Sequence, residues 1–273
     1  NRLKTDKKAV GNLINQLFSL FSLAMIVLAG GLFWLLPFLA DILAPGFSAE
    51  QKEIFITLSR ILLLSPFLLG ISNLLGSITQ SFHRFLVYAL SPLLYNLGII
   101  AGIIFLYPLW GLPGLAWGVI IGALAHMAIQ LPVVYTLGYR LGFTFSWNWQ
   151  EIKPIIITSL PRTGALAAHQ IVILILVALG SVLASGSIAI FTLAFNLQGV
   201  PLAIIGVSYS VAAFPALARL QASGERRKFK EQISTAARHI IFWSLPATVF
   251  FIVLRAQIVR VILGTGRFDW AET

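Results

Sequence analysis

The sequence predicts an all-α integral membrane protein, a polytopic helical bundle, and three observations carry that prediction. Hydrophobic residues make up 58% of the 273 residues and charged residues only 10%, with a mean hydropathy of +0.91, far from the balance of a water-soluble domain. The apolar residues gather into seven continuous stretches, each long enough to cross a hydrocarbon core of about 30 Å at 1.5 Å of rise per residue. The stretches also lack the ten-residue alternation of a membrane β-barrel.

In chain order the expected spans run from Leu17 to Leu43, Ile54 to Phe82, Phe85 to Tyr107, Leu112 to Gly138, Pro154 to Ala184, Ser187 to Leu217 and Ile240 to Leu263. The third and fourth are joined by the short turn "YPLWGLP" and carry "GIIAG" at 98–102 and "GVIIG" at 118–122. Small residues four apart on both arms predict a closely packed helical hairpin. Asn73, Gln80 and Asn96 are read first as makers of interhelical hydrogen bonds, the common fate of amides in a membrane. Trp110, Trp117, Trp147 and Trp149 fall near span ends, where indole anchors at the interface without any ligand.

The formal net charge of +10 raises nucleic acid as a partner, but its distribution removes the need for one. With sides alternating at each span, 14 of the 19 basic residues fall on one side, from Arg2, Lys4, Lys7 and Lys8 through Arg84, Arg140, Lys153 and Arg162 to Arg219, Arg226, Arg227, Lys228, Lys230 and Arg238. The other side keeps Lys52, Arg60, Arg255, Arg260 and Arg267. That asymmetry orients a bundle with its N-terminus in the cytoplasm, and it makes "GERRKFKEQ" first an ordinary cytoplasmic loop, with contact to anionic lipid head groups as the alternative reading.

Catalysis finds no support. The nine acidic residues all lie at expected span ends or loops, so no carboxylate pair, metal-ligand cluster or nucleophile–base constellation forms, and no enzyme activity, metal or cofactor is expected. The absence of cysteine removes disulfides and thiolate chemistry.

One cation, Arg162, and a polar pair, His169 and Gln170, stand where apolar residues are expected. Arg162 lies eight residues past Pro154, about 12 Å along a helix, and His169 follows two turns later on nearly the same face. One reading has Arg162 snorkelling to the interface while His169 makes a single interhelical bond. The other places both beside a hydrated cavity, where Arg162 attracts an anionic head group.

The ends of the chain share a plan: a basic loop, a long span, and a turn closing in Gly-Phe or Gly-Arg-Phe. Spans six apart share an orientation, which suggests six-helix units repeated in parallel, and the abrupt ends suggest a piece of a larger transporter. At this point "LAPGF" at 43–47, "RFLVYALSPLLYNLGII" at 84–100, "GLAWGVIIGALAHMAIQLP" at 114–132, "PLAIIGVSYSVAAFPALARL" at 201–220 and "IVRVILGTGRF" at 258–268 together resemble the MurJ (MviN) family. That family belongs to the multidrug, oligosaccharidyl-lipid and polysaccharide exporter superfamily, and its members flip lipid II, the lipid-linked peptidoglycan precursor, across the cytoplasmic membrane.

The resemblance implies a two-lobed transporter working by alternating access in the inner membrane, with this chain as helices three to nine. Residues 1–140 would complete the first lobe, 141–153 would link the lobes on the cytoplasmic side, and 154–273 would begin the second. It implies lipid II and membrane lipids as partners, with the cell-wall synthesis machinery close by, and it draws Arg162, His169 and Asn196 into a substrate site. Asn196 is a departure: relatives commonly carry Asp-Arg where this sequence has Phe195-Asn196, so the expected cation is missing there. Alternatives of the same superfamily are a polysaccharide-lipid or multidrug exporter; a non-transporting membrane scaffold is the alternative outside it.

Overall fold

The computed structural model describes residues 7–264. They fall into two compact units, the first reaching to Leu183 and the second beginning at Ala184. In the first unit α1 spans Lys7–Leu43, α2 Ala49–Leu62, α3 Leu64–Ser81 and α4 Phe85–Ala101. A π-helical turn, Gly102–Leu106, carries α4 into the short α5, Tyr107–Trp110. Then come α6, Leu112–Ala128, α7, Leu131–Thr136, and the long α8, Trp149–Ser181. The second unit holds α9, Ser187–Pro201, a π-helical turn Leu202–Val207, α10, Ser208–Ala222, α11, Arg226–Val253, and α12, Arg255–Leu263. Among the described residues there is no strand, and seven helical stretches are long and apolar enough to cross a membrane.

The expected spans are present, with boundaries moved by backbone chemistry that hydropathy does not see. The second span is broken at Leu63, because Pro66 has no N–H to offer the Leu62 carbonyl. Pro132 does the same to the Ala128 carbonyl, ending α6 and starting α7. The fifth span starts at Trp149 rather than Pro154, because the Asn148 side chain accepts the Gln150 N–H and caps the helix. The "GERRKFKEQ" stretch, expected as a loop, is the first turns of α11. Glu225 pairs with Lys228 and Glu231 with Arg227, and such pairs at helical spacing favour helix irrespective of hydropathy. The Lys228 ammonium and the Ser223 hydroxyl hold the Glu225 carboxyl below its ordinary range. The seventh span is interrupted at Leu254 before α12. Arg2, Lys4, Arg267 and the Gly-Arg-Phe turn at 266–268 lie outside the described residues.

The glycine hairpin forms as the spacing predicts. A Cβ on Gly98 would collide with the Gly122 backbone, one on Gly102 with Gly118, and one on Gly114 with the Leu106 carbonyl. The α4 and α6 backbones therefore touch, an approach that side chains of any size would prevent. Around this hairpin α3 contributes Leu68, which packs with Ile120 and Ala123 of α6. A second cluster gathers Ile71, Leu75 and Ile78 of α3 with Ile14 and Phe18 of α1 and with Val134 and Tyr139.

Candidate functional site

α8 carries the two residues that the sequence singles out. Seven residues separate Arg162 from His169, about 10 Å along the axis and about 20° around it, so they share one face. Both are exposed, and neither has a hydrogen bond or ion pair among the described residues. Thr158, one turn before Arg162 on the same strip, turns its hydroxyl back to the Pro154 carbonyl at 2.7 Å. The strip therefore presents one guanidinium, with five N–H donors, and one imidazole to whatever lies beside it. Planar donors of this kind match phosphate oxygens in pairs.

What holds α8 is confined to its two ends. At the N-terminal end, the extended chain before it is fastened to α1 by side chains of α1. The Asn15 Oδ1 accepts the Gly142 N–H at 3.0 Å, the Ser19 Oγ accepts the Thr144 N–H at 2.8 Å, and the Gln16 Oε1 accepts the Asn148 N–H at 2.9 Å. The spacing explains the match: residues four apart on a helix and two apart in an extended chain both repeat at about 6 Å. The Phe18 and Phe143 rings meet with centroids 5.0 Å apart, and Ile152 is fully buried. At the other end the Gly46 N–H donates to the Ser181 Oγ at 3.2 Å, and no other residue fits at 46, because a Cβ would enter the Ser181 carbonyl. Between these ties, residues 153–172 are exposed throughout.

Asn196 stands on α9 in the second unit, exposed, one residue after Phe195, whose ring stacks on Phe191 at 6.0 Å. The structure thus brings Arg162 and His169 onto one face and gives Asn196 its place on a helix of the other unit.

A polar cluster that the sequence reading passed over lies where α6 ends. The Ser72 Oγ is 2.6 Å from the His126 Nδ1 and 3.0 Å from the His126 carbonyl, and the Gln130 Nε2 donates to the Ser72 Oγ at 2.6 Å and to the same carbonyl at 3.2 Å. In a regular helix that carbonyl would take the Gln130 N–H, which instead goes to the Met127 carbonyl. The side chains stand in for the lost ladder bond. The Gln130 Oε1 is buried without a partner among the described residues. The available signal was a polar pair four apart, His126 and Gln130, just ahead of Leu131-Pro132.

Comparison with known proteins gives one answer at every level. The probable lipid II flippase MurJ of Buchnera aphidicola subsp. Acyrthosiphon pisum is 30% identical over 97% of this chain and 53% of its own length. That of Bdellovibrio bacteriovorus is 29% identical over 94% of this chain and 50% of its own, and that of Thermotoga maritima 28% over 85% and 46%. The solved structure of a lipid II flippase MurJ in an inward closed conformation superposes with a TM-score of 0.80 at 20% identity, covering 98% of this chain and 56% of that one. It shares the fold. The chain spans about half the length of the relatives it matches. The sequence model of the family described as "Lipid II flippase MurJ" matches residues 1–273 without remainder, and the chain accordingly belongs to the MurJ family.

Proposed function

We propose that this chain forms part of a flippase that carries lipid II across the inner membrane by alternating access, with Arg162 and His169 lining the path of the anionic head group. The observation that supports this reading most is the bare strip of α8. A guanidinium within a membrane-spanning helix costs several kcal/mol unless it is hydrated or paired, and Arg162 has no partner among the described residues. A hydrated path beside α8 removes that cost, and a pyrophosphate entering it supplies paired acceptors. Asn196, on the second unit, is proposed separately as a neutral hydrogen-bond donor to the substrate.

The same proposal sets the N-terminus of the chain in the cytoplasm, supported by the basic asymmetry. It assigns residues 1–140 to the first lobe, 141–153 to the link and 154–273 to the second lobe, and it has the protein working beside the cell-wall synthesis machinery. The test is lipid II translocation by the protein expressed from its complete reading frame, normalised to membrane abundance. Arg162→Lys retains charge without the planar fork and gives partial activity, whereas Arg162→Gln nearly abolishes it. Normal specific activity in Arg162→Gln would remove Arg162 from the path and leave it an interfacial anchor.

A further inference from the structure

The second membrane stretch, Ala49–Ser81, has its midpoint at Ser65, and Arg60 lies five residues from it toward the Ala49 end. At 1.5 Å per residue this sets Arg60 about 8 Å from mid-membrane, inside a hydrocarbon half-thickness of about 15 Å. Its guanidinium is only slightly provided for. The Nε donates to the Phe33 carbonyl at 3.4 Å, a long bond, and the guanidinium carbon stands 4.5 Å from the Phe33 ring centroid. The remaining four N–H groups have no partner among the described residues. Glu53, two turns away on the same face of α2, is about 10 Å along the axis, and Asp41 is engaged by Lys52 at 2.6 Å.

Two further features converge on this cation. The helix kinks at Leu63, one turn beyond it, where Pro66 leaves the Leu62 carbonyl without its helical donor. Beside the break runs an open apolar groove of about 490 Å³, walled by Met25, Gly30 and Phe33 of α1 and by Arg60, Leu64 and Phe67. The space beside Gly30 is open, since a Cβ there would meet nothing within 4 Å. A charge with four free donors at one point of an apolar trough is complementary to an amphiphile with an anionic head and a long tail. Neither a free anion nor a neutral lipid uses both features.

We infer that the Arg60 groove is a second station for a lipid phosphate. The phosphate oxygens meet the free side of the guanidinium, and the tail lies along Met25 and Phe67. Arg60 and Arg162 fall in opposite halves of the membrane: α2 enters at the Ala49 side, and Arg162 lies about 4 Å on the Trp149 side of the midpoint of α8. The inference rests on the flippase reading and adds to it a cation for the half of the path that α8 does not serve.

The experiment is photo-crosslinking of the membrane-reconstituted protein with a benzophenone-bearing prenyl diphosphate, followed by peptide mapping. The matched prenyl alcohol and equimolar inorganic pyrophosphate serve as controls. The expected result is labelling of residues 25–33 and 60–67 by the diphosphate about tenfold above the alcohol, not displaced by equimolar pyrophosphate. Arg60→Gln should remove that labelling while labelling along α8 persists, and Arg60→Lys should retain most of it. Gly30→Leu, which fills the groove and leaves the cation in place, should also remove it, and this covers the case in which Arg60→Gln does not fold. Equal labelling by the alcohol, displacement by equimolar pyrophosphate, or labelling indifferent to Arg60→Gln would overturn the station. Diphosphate-dependent labelling confined to α8 would overturn it and leave the flippase reading standing; no diphosphate-dependent labelling anywhere would overturn both.

Discussion

Replacing Gly118 by alanine tests the backbone contact on which the first unit is built. The added Cβ would stand 2.6 Å from the Gly102 Cα, whereas ordinary contact begins at 3.4 Å. The obstructing atom belongs to helical backbone and cannot rotate away, so α6 and the π-helical turn that continues α4 must part by roughly 0.8 Å or bend. Overpacking of this kind costs about 1–3 kcal/mol. Alanine also favours helix over glycine by up to about 1 kcal/mol, so the steric cost has to be measured against a glycine in open helix. Gly164 on α8 is that reference, because a Cβ there meets nothing within 4 Å. Reversible unfolding of the purified protein in mixed micelles, titrated with a denaturing detergent, should place Gly118→Ala about 1–3 kcal/mol below Gly164→Ala. Equal stability of the two variants would refute the claim that the α4 and α6 backbones touch.

The fastening of residues 142–148 to α1 predicts slow amide exchange at Gly142, Thr144 and Asn148, and Ser19→Ala should accelerate Thr144 by about tenfold, the equivalent of a lost hydrogen bond of about 1.4 kcal/mol; exchange unchanged in the variant would mean that Ser19 does not hold the segment. The charge asymmetry predicts that a cysteine at Glu50 reacts with an impermeant maleimide in intact cells while one at Ser223 does not, and labelling at Ser223 instead would reverse the orientation.

The hairpin was legible because its signal is local. Gly98, Gly102, Gly118 and Gly122 declare helical spacing and small size in the same residues, and those two properties alone determine how closely two helices approach. The helix breaks at Leu63 and after Ala128 were less legible. Pro66 and Pro132 are visible in the sequence, yet Pro154 and Pro161 lie within α8, which continues through both. Whether a proline ends a helix depends on what receives the carbonyl it frees. At His126 a related vacancy is filled by Ser72 from another helix, a partner 54 residues away that no local pattern announces.

Charge was legible by side, and by depth only for Arg162, which its spacing from Pro154 singled out. Counting cations along alternating spans gives Arg60 to one side of the membrane and Arg162 to the other, and treats them as the same kind of residue as Lys52 or Arg84. Depth separates them. It depends on where a helix begins, and that was fixed for α8 by Asn148 and for α2 by the Ser48–Gln51 capping box, pairs of polar residues that a hydropathy window averages away. Once those starts are known, Arg60 and Arg162 stand about 8 Å and 4 Å from the midpoints of their helical stretches, and a long hydrogen bond and a ring contact, both from Phe33, are all that the described residues offer the two together. A protein retains such charges at a cost that a structural anchor does not require, since an anchor works as well at the interface. On the proposed flippase reading, these two guanidinium groups in opposite halves of one unit serve an anion that visits each of them in turn.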